Sequence, residues 1–346
     1  MQNFQNSWSG DQHKSSGSVL DITGGIDILD VLMDILRFKE KDTSAWDCFV
    51  QEANNGTIFH TQRFLSYHPK TRFKDHHCMV TQKESLIAVF PAVEHEGSII
   101  SHRGASYGGL VMKHGIGIST VCRIIEHLVT YYRSKGFKKI ITTQTPLVYY
   151  KDPHQYADFA LAKQGFSYLK REVTAVIPII TAEPLPTFHA DARRSTKKAE
   201  REGIQIRISD EYERFYEILK NNLGMRHNVK PTHTLSEMHK LRKLYPDDII
   251  LFAAYYNRIM IGGIVVFVTN KQTILAFYIS HNDKYQQFRP VNLLFYEILK
   301  WAYYHGFNYL DLGTFTLNME PNWGLGRFKE NHNAHGFLRD TFTLNL

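Results

Sequence analysis

The sequence predicts a mixed α/β protein (α+β in its segregation of strands and helices) made of two similar halves. Three observations carry this. Each half shows strand-like runs, then an amphipathic helix ending in Gly-Phe, then a short apolar strand. The matching endings read SKGFKKIITT near Gly136 and YHGFNYLDLG near Gly306. Between the halves, Thr181 to Thr187 carries Pro184 and Pro186 and reads as a linker. The length of 346 residues allows about two domains.

Taken in order, residues 1–25 are rich in Ser, Gly, Gln and Asn and read as a flexible extension. Ile26 to Phe38 has apolar residues at helical spacing, expected to pack on the body as a helix or strand. Ser44 to Asn54 opens with a Ser cap and reads as a helix; Gln62 to Tyr67 is a second, short one. Strands are expected at His77–Thr81, Leu86–Glu94, Gly97–Ser101 and Leu110–Met112. A Gly-rich loop, His102 to Gly109, precedes the last of these. Gly117 to Gly136 places Val121, Ile124, Ile125, Leu128, Val129 and Tyr132 on one helical face, and Lys138 to Thr143 follows as a buried strand. Tyr149 to Tyr168 is expected to be helical, and Glu172 to Ile179 a strand.

The second half opens with a basic helix, Ala190 to Arg201, and a strand, Gly203 to Ile208. Helices follow at Tyr212–Leu223 and Thr234–Leu244. Three strands, Ile249–Tyr256, Met260–Thr269 and Thr273–Ser280, are joined by turns at Asn257-Arg258 and Asn270-Lys271. Pro290 opens the next helix, where its missing N–H is tolerated. That helix runs to His305, and Phe307 to Leu312 is its buried strand.

Composition narrows the function classes. Hydrophobic residues make up 43% and charged residues 22%, which excludes wholesale disorder. The net charge of +7 excludes a polycation but suits a binder of anions. Three widely spaced cysteines make neither a disulfide framework nor a zinc knuckle, so a reducing cytoplasm is the expected setting. No apolar run reaches the ~20 residues that span a bilayer. The histidines form no HExxH or similar pattern, so no metal is expected.

Several segments together resemble the Fem peptidyltransferases and FemAB-like relatives of the GNAT acyltransferase superfamily. They are GTIFHTQRF, SHRGASYGGLV, RRSTKKAEREGIQI, YNRIMIGGIVVF, FRPVNLLFYEILKWAYYHGFNYLDLG and GLGRFKENHNAHG, spread over residues 40–346. The resemblance implies two tandem GNAT-like domains, residues 39–182 and 183–330, behind an N-terminal extension, 1–38. It also implies that Asn331 to Leu346 returns to complete the first domain. The implied activity moves an activated acyl group onto an acceptor amine. The donor is an aminoacyl-tRNA in Fem enzymes and acyl-CoA in other GNAT proteins, with no tightly bound cofactor. The acceptor in Fem enzymes is a peptidoglycan precursor. A non-catalytic binding module with this fold is the third reading.

Site residues follow from the same comparison. In CoA-dependent members Q/R-x-x-G-x-G/A precedes the central helix, and backbone N–H groups hold the pyrophosphate. Here Gln287-Phe288-Arg289-Pro290-Val291-Asn292 stands in that place, with Pro290 and Asn292 at the glycine positions. Arg289 and Asn292 are the donor-loop candidates, and the departure weakens the acyl-CoA reading. The first half has Gly115-Ile116-Gly117 before its helix, with Met112 where Gln or Arg would stand. Lys329, in Arg327-Phe328-Lys329-Glu330, matches a Fem lysine near the reacting centre. Its ammonium could stabilise an oxyanion or hold a donor phosphate; Phe328 goes with it as a contact residue. Arg226, in GMRHN, matches an arginine that contacts the acceptor. Arg103 and Tyr107 belong to the Gly-rich loop, expected to line the acceptor groove. Tyr278 is expected to face the site or to pack in the sheet. Asp311 is a general base or a structural cap. The helix bearing Arg193, Arg194, Lys197, Lys198 and Arg201 either meets tRNA phosphates or is a solvated face.

Overall fold

The structure, a computed structural model, describes residues 33–227 and 231–346, without the side chains of 225–227. The first half contains β1 (Met33–Arg37), α1 (Thr43–Glu52), α2 (Gln62–Leu65), β2 (Lys74–Asp75), β3 (Cys78–Gln82), β4 (Ser85–Phe90) and β5 (Val93–His95). It continues with β6 (Ser98–Ser101), β7 (Val111–Met112), α3 (Ile118–Ser134), β8 (Lys139–Thr143), α4 (Tyr156–Lys163) and β9 (Ser167–Pro178).

The second half contains α5 (Ala190–Arg201), β10 (Gln205–Ser209), α6 (Tyr212–His227), α7 (Leu235–Leu244), β11 (Ile249–Tyr256), β12 (Ile259–Val268) and β13 (Thr273–His281). Then come α8 (Pro290–Tyr304), β14 (Tyr309–Thr314), the hairpin β15 (Thr316–Leu317) and β16 (Glu320–Pro321), α9 (Trp323–Glu330) and β17 (His335–Asn345).

Proline explains where the strand and helix boundaries differ from expectation. Pro91 cannot donate to a ladder, so the run Leu86–Glu94 splits into β4 and β5, which enter different sheets. Pro153 likewise keeps Tyr149–Tyr168 from forming one helix. A 3-10 turn at Leu147–Tyr149 precedes α4, and β9 starts at Ser167 rather than Glu172. The N-terminal extension up to Leu32 lies outside the described residues, whereas Met33–Arg37 is a strand paired with β3.

One sheet runs through both halves, in the order β10-β11-β12-β13-β14-β9-β17-β8-β6-β5-β2. A separate sheet has the order β1-β3-β4-β7. In the large sheet two neighbouring pairs are parallel, β6 with β8 and β13 with β14. Each is joined by a helical crossover, α3 or α8. Both crossover helices end alike. Gly136 (φ 80°) and Gly306 (φ 77°) take the left-handed conformation, and the next residue's N–H reaches back five residues, Phe137 to Tyr132 and Phe307 to Ala302. β17 lies between β9 and β8, so the final segment of the chain sits among strands of the first half.

Period-two alternation sorts the sheet's two faces. On β12, Val265 and Phe267 enter one core with α6 and α7, while Ile264 and Val266 enter the other with α5 and α8. α8 is buried from Pro290 through Tyr296, as expected for a crossover helix covered on all sides. Residues 33–346 form one compact unit. No described helix is long and apolar enough to cross a membrane.

Candidate active site

The large sheet opens between its fourth and fifth strands, β13 and β14. β13 and β14 pair only over Thr273–Leu275 and Tyr309–Asp311. A bulge then places Phe277 out of register against β12, and the strands diverge. Lys329 enters at the end of β14. It comes from α9, which Asn322 caps by accepting a hydrogen bond from the Leu325 N–H at 3.0 Å. Gly326 lets that helix lie close to Phe315, whose ring would be 3.1 Å from a Cβ.

The Lys329 Nζ donates to the carbonyls of Gly313 at 2.7 Å and Thr314 at 3.0 Å. The residue is 3% exposed. Burial pushes its pKa down to about 8, and the nearby Asp311 carboxylate opposes that shift. Two carbonyls engage two of its three donors, so the ammonium is held in place with one N–H to offer.

Asp311 accepts three hydrogen bonds. Its carboxylate accepts from the Tyr149 hydroxyl at 2.6 Å, from the Gly313 N–H at 2.8 Å and from the Thr174 hydroxyl. Of the two roles weighed for it, this geometry favours the structural one: it ties β9, β14 and the 3-10 turn of the first half together. Tyr149 and Thr174 come from the other half, so no local sequence signal marked them.

Arg289 is exposed and takes a left-handed backbone (φ 58°) at the start of α8. Pro290 has no N–H, and the N–H of Asn292 is given to the Arg289 carbonyl at 3.2 Å. The Asn292 side chain is buried and meets His332 Nε2 at 3.0 Å. His332 Nδ1 is 2.8 Å from the Phe328 carbonyl, which fixes Nδ1 as its protonated nitrogen. Phe328 packs between Phe295 and His332.

On the opposite face, Tyr278 accepts the His233 N–H at 2.9 Å and stands among the α6 aromatics. Tyr107 is buried against Phe59 and Tyr149. Arg103 is exposed on the same loop. The Arg226 side chain lies outside the described residues. On α5, Arg193, Arg194, Lys197 and Arg201 are exposed, and Arg194 pairs with Asp191. The structure therefore gathers Lys329, Asp311, Tyr149 and Tyr107 near the opening. It leaves Arg289, Asn292 and Phe328 along the α8–α9 contact.

Elsewhere Asp75, His77 and His102 bring three ligand-type atoms within 4.8 Å of one another. Ring tautomers decide against a cation there. Nδ1 of His77 accepts the Ala92 N–H, and Nδ1 of His102 accepts the Gly104 N–H, both at 3.0 Å. Each neutral ring therefore carries its proton on Nε2, the atom that faces Asp75 at 3.8 and 3.7 Å. A cavity of about 900 Å³ lies between α6 and the end of β13, lined by Arg214, Asn222, His281 and Lys284 among others.

Residues 187–330 match the family described as the acetyltransferase (GNAT) domain. This part of the chain is a GNAT domain. FemX, as a solved structure, superposes with a TM-score of 0.69 at 14% identity, over 90% of this chain and 97% of that one. A tandem GNAT protein from the clavulanic acid biosynthesis pathway gives 0.54 at 9% identity, over 90% and 98%. L-PGS from Bacillus licheniformis gives 0.55 at 11%, over 81% and 90%. At these identities the likeness shows the shared tandem GNAT-type fold. No curated protein matches the sequence. The GNAT domain makes the chain an N-acyltransferase, acting on an acyl donor and an acceptor amine.

Proposed function

We propose that the chain transfers an activated acyl group to an acceptor amine at the opening between β13 and β14, with Lys329 as the catalytic cation. The carrying observation is a buried ammonium fixed by two carbonyls at the mouth of the splayed strands. A tetrahedral intermediate places negative charge on the former carbonyl oxygen, and a pre-positioned N–H in a dry site stabilises it. The rest of the rate comes from holding donor and acceptor together.

An aminoacyl ester is the donor that the helix start supports best. Pro290 and Asn292 remove two amides that a pyrophosphate would use. An acyl-CoA thioester is the second reading, favoured by the acetyltransferase family match. The Fem resemblance supports a cell-envelope peptide precursor as the acceptor class. Radiolabelled acetyl-CoA and an aminoacyl-tRNA mixture, each offered with amine acceptors, discriminate the donors. Transfer from the tRNA ester alone supports the first reading, and transfer from acetyl-CoA alone replaces it with the second.

A further inference from the structure

Two consecutive cross-strand pairs of β9 and β17 behave oppositely. Arg171 and Asp340 are partners on one face and close into a two-pronged ion pair, Nε–Oδ1 at 2.9 Å and Nη2–Oδ2 at 3.0 Å. The next pair, Glu172 and Arg339, lies on the other face. Directly opposed residues in an antiparallel ladder have Cβ atoms roughly 5 Å apart, so this pair has the same opportunity to close.

It stays open. Glu172 is 2% exposed, and its Oε2 accepts the Thr316 hydroxyl. Its Oε1 is buried without a partner, and so is the Nε of Arg339. A buried carboxylate oxygen and a buried guanidinium N–H on directly opposed residues, each unsatisfied, are costly unless a ligand meets them.

Their position joins them to the reacting centre. β14 last pairs with β9 at Thr314 and Thr174, and Glu172 is two residues further along β9 on the same face. Thr316, which holds Glu172, lies two residues beyond Thr314 of the segment whose carbonyls hold Lys329. Tyr107 is within electrostatic reach of both Arg339 and Asp311.

The geometry points to Glu172 and Arg339 as a clamp for an acceptor that carries both an amine and a carboxylate. This rests on the transferase reading above. Arg339 holds the acceptor carboxylate, and Glu172 receives its ammonium and takes one proton from it. The freed nitrogen lone pair forms the new C–N bond to the acyl carbon. The donor C–O or C–S bond breaks, and the leaving atom departs with the electron pair and the second amine proton. Glu172 returns its proton to water. The product is an amide.

Thermal denaturation of the full chain tests the clamp. The probes are millimolar glycine, β-alanine and 4-aminobutyrate, with butylamine and butyrate as single-charge controls. At least one zwitterion raises Tm by roughly 2 °C, the controls do not, and Glu172→Gln and Arg339→Met each abolish the response. In a transfer assay with that zwitterion, Glu172→Gln lowers kcat roughly 100-fold. Absence of any zwitterion response in the wild type overturns the clamp. So does a response that survives in both variants. If Lys329→Met stops transfer while no zwitterion binds, the clamp alone fails and the transferase reading stands.

Discussion

At the scale of single residues, Lys329 and Asp311 share one neighbourhood but differ in what they can do. Asp311 accepts from Tyr149, Thr174 and Gly313 and so holds three elements together, whereas Lys329 keeps an uncommitted N–H. The active form of Lys329 is the ammonium, which is lost as pH rises through about 8. Transfer is therefore expected to fall above that pH in the wild type, and Lys329→Arg should remove this limb from a pH–rate profile. Removing the Tyr149 hydroxyl takes one donor from the buried Asp311 carboxylate. Tyr149→Phe is expected to cost about 1–3 kcal/mol in urea denaturation. The motif that marked Lys329 was local, Arg-Phe-Lys-Glu, and so was readable in the sequence. Its surroundings were not, because Tyr149, Thr174 and Glu172 lie more than a hundred residues away and meet it only through the sheet.

At the scale of elements, helix ends and turns were the most legible features. Their conformations depend on one or two residues. Gly136, Gly165, Gly203 and Gly306 all have φ between 79° and 85° or close to it at 77°, and each ends a helix. Asn257-Arg258 turns with φ of 47° and 65°, as expected of a tight hairpin. The hairpin β15–β16 and helix α9 had no such clear signal. Their large apolar residues, Leu317, Met319 and Trp323, are exposed rather than packed, so periodicity did not mark a buried face. At Gly306 a Cβ would meet nothing within 4 Å, so only backbone strain opposes a side chain. Gly306→Ala is expected to cost roughly 1–2 kcal/mol and lower Tm by a few degrees, without changing the site.

At the scale of the whole molecule, the two halves were visible as repeated order, but their joining was not. A strand's hydrophobic pattern says which face is buried and nothing about its neighbour. The return of the last strand, β17, to lie between β9 and β8 was legible only through the family resemblance, not through its own pattern. Buried histidines set the molecule's response to acid. Burial holds His60, His68, His233 and His332 at about 4 and His77 at about 3. In the unfolded chain they titrate near 6.5. Their contribution is fully present above pH 6.5. It is lost as pH falls from there toward 4, because the unfolded chain takes up protons that the folded one refuses. Tm at pH 5 is expected to lie roughly 10 °C below that at pH 7.5.

The central claim is that a fixed ammonium at the strand opening drives acyl transfer. Lys329→Met keeps an unbranched side chain one atom shorter and removes its charge. Single-turnover transfer by this variant and by the wild type, at pH 7 with the donor that the wild type uses, is the direct comparison. The account predicts a fall of roughly 100-fold or more with Tm changed by only a few degrees. A rate within a few-fold of the wild type would contradict it.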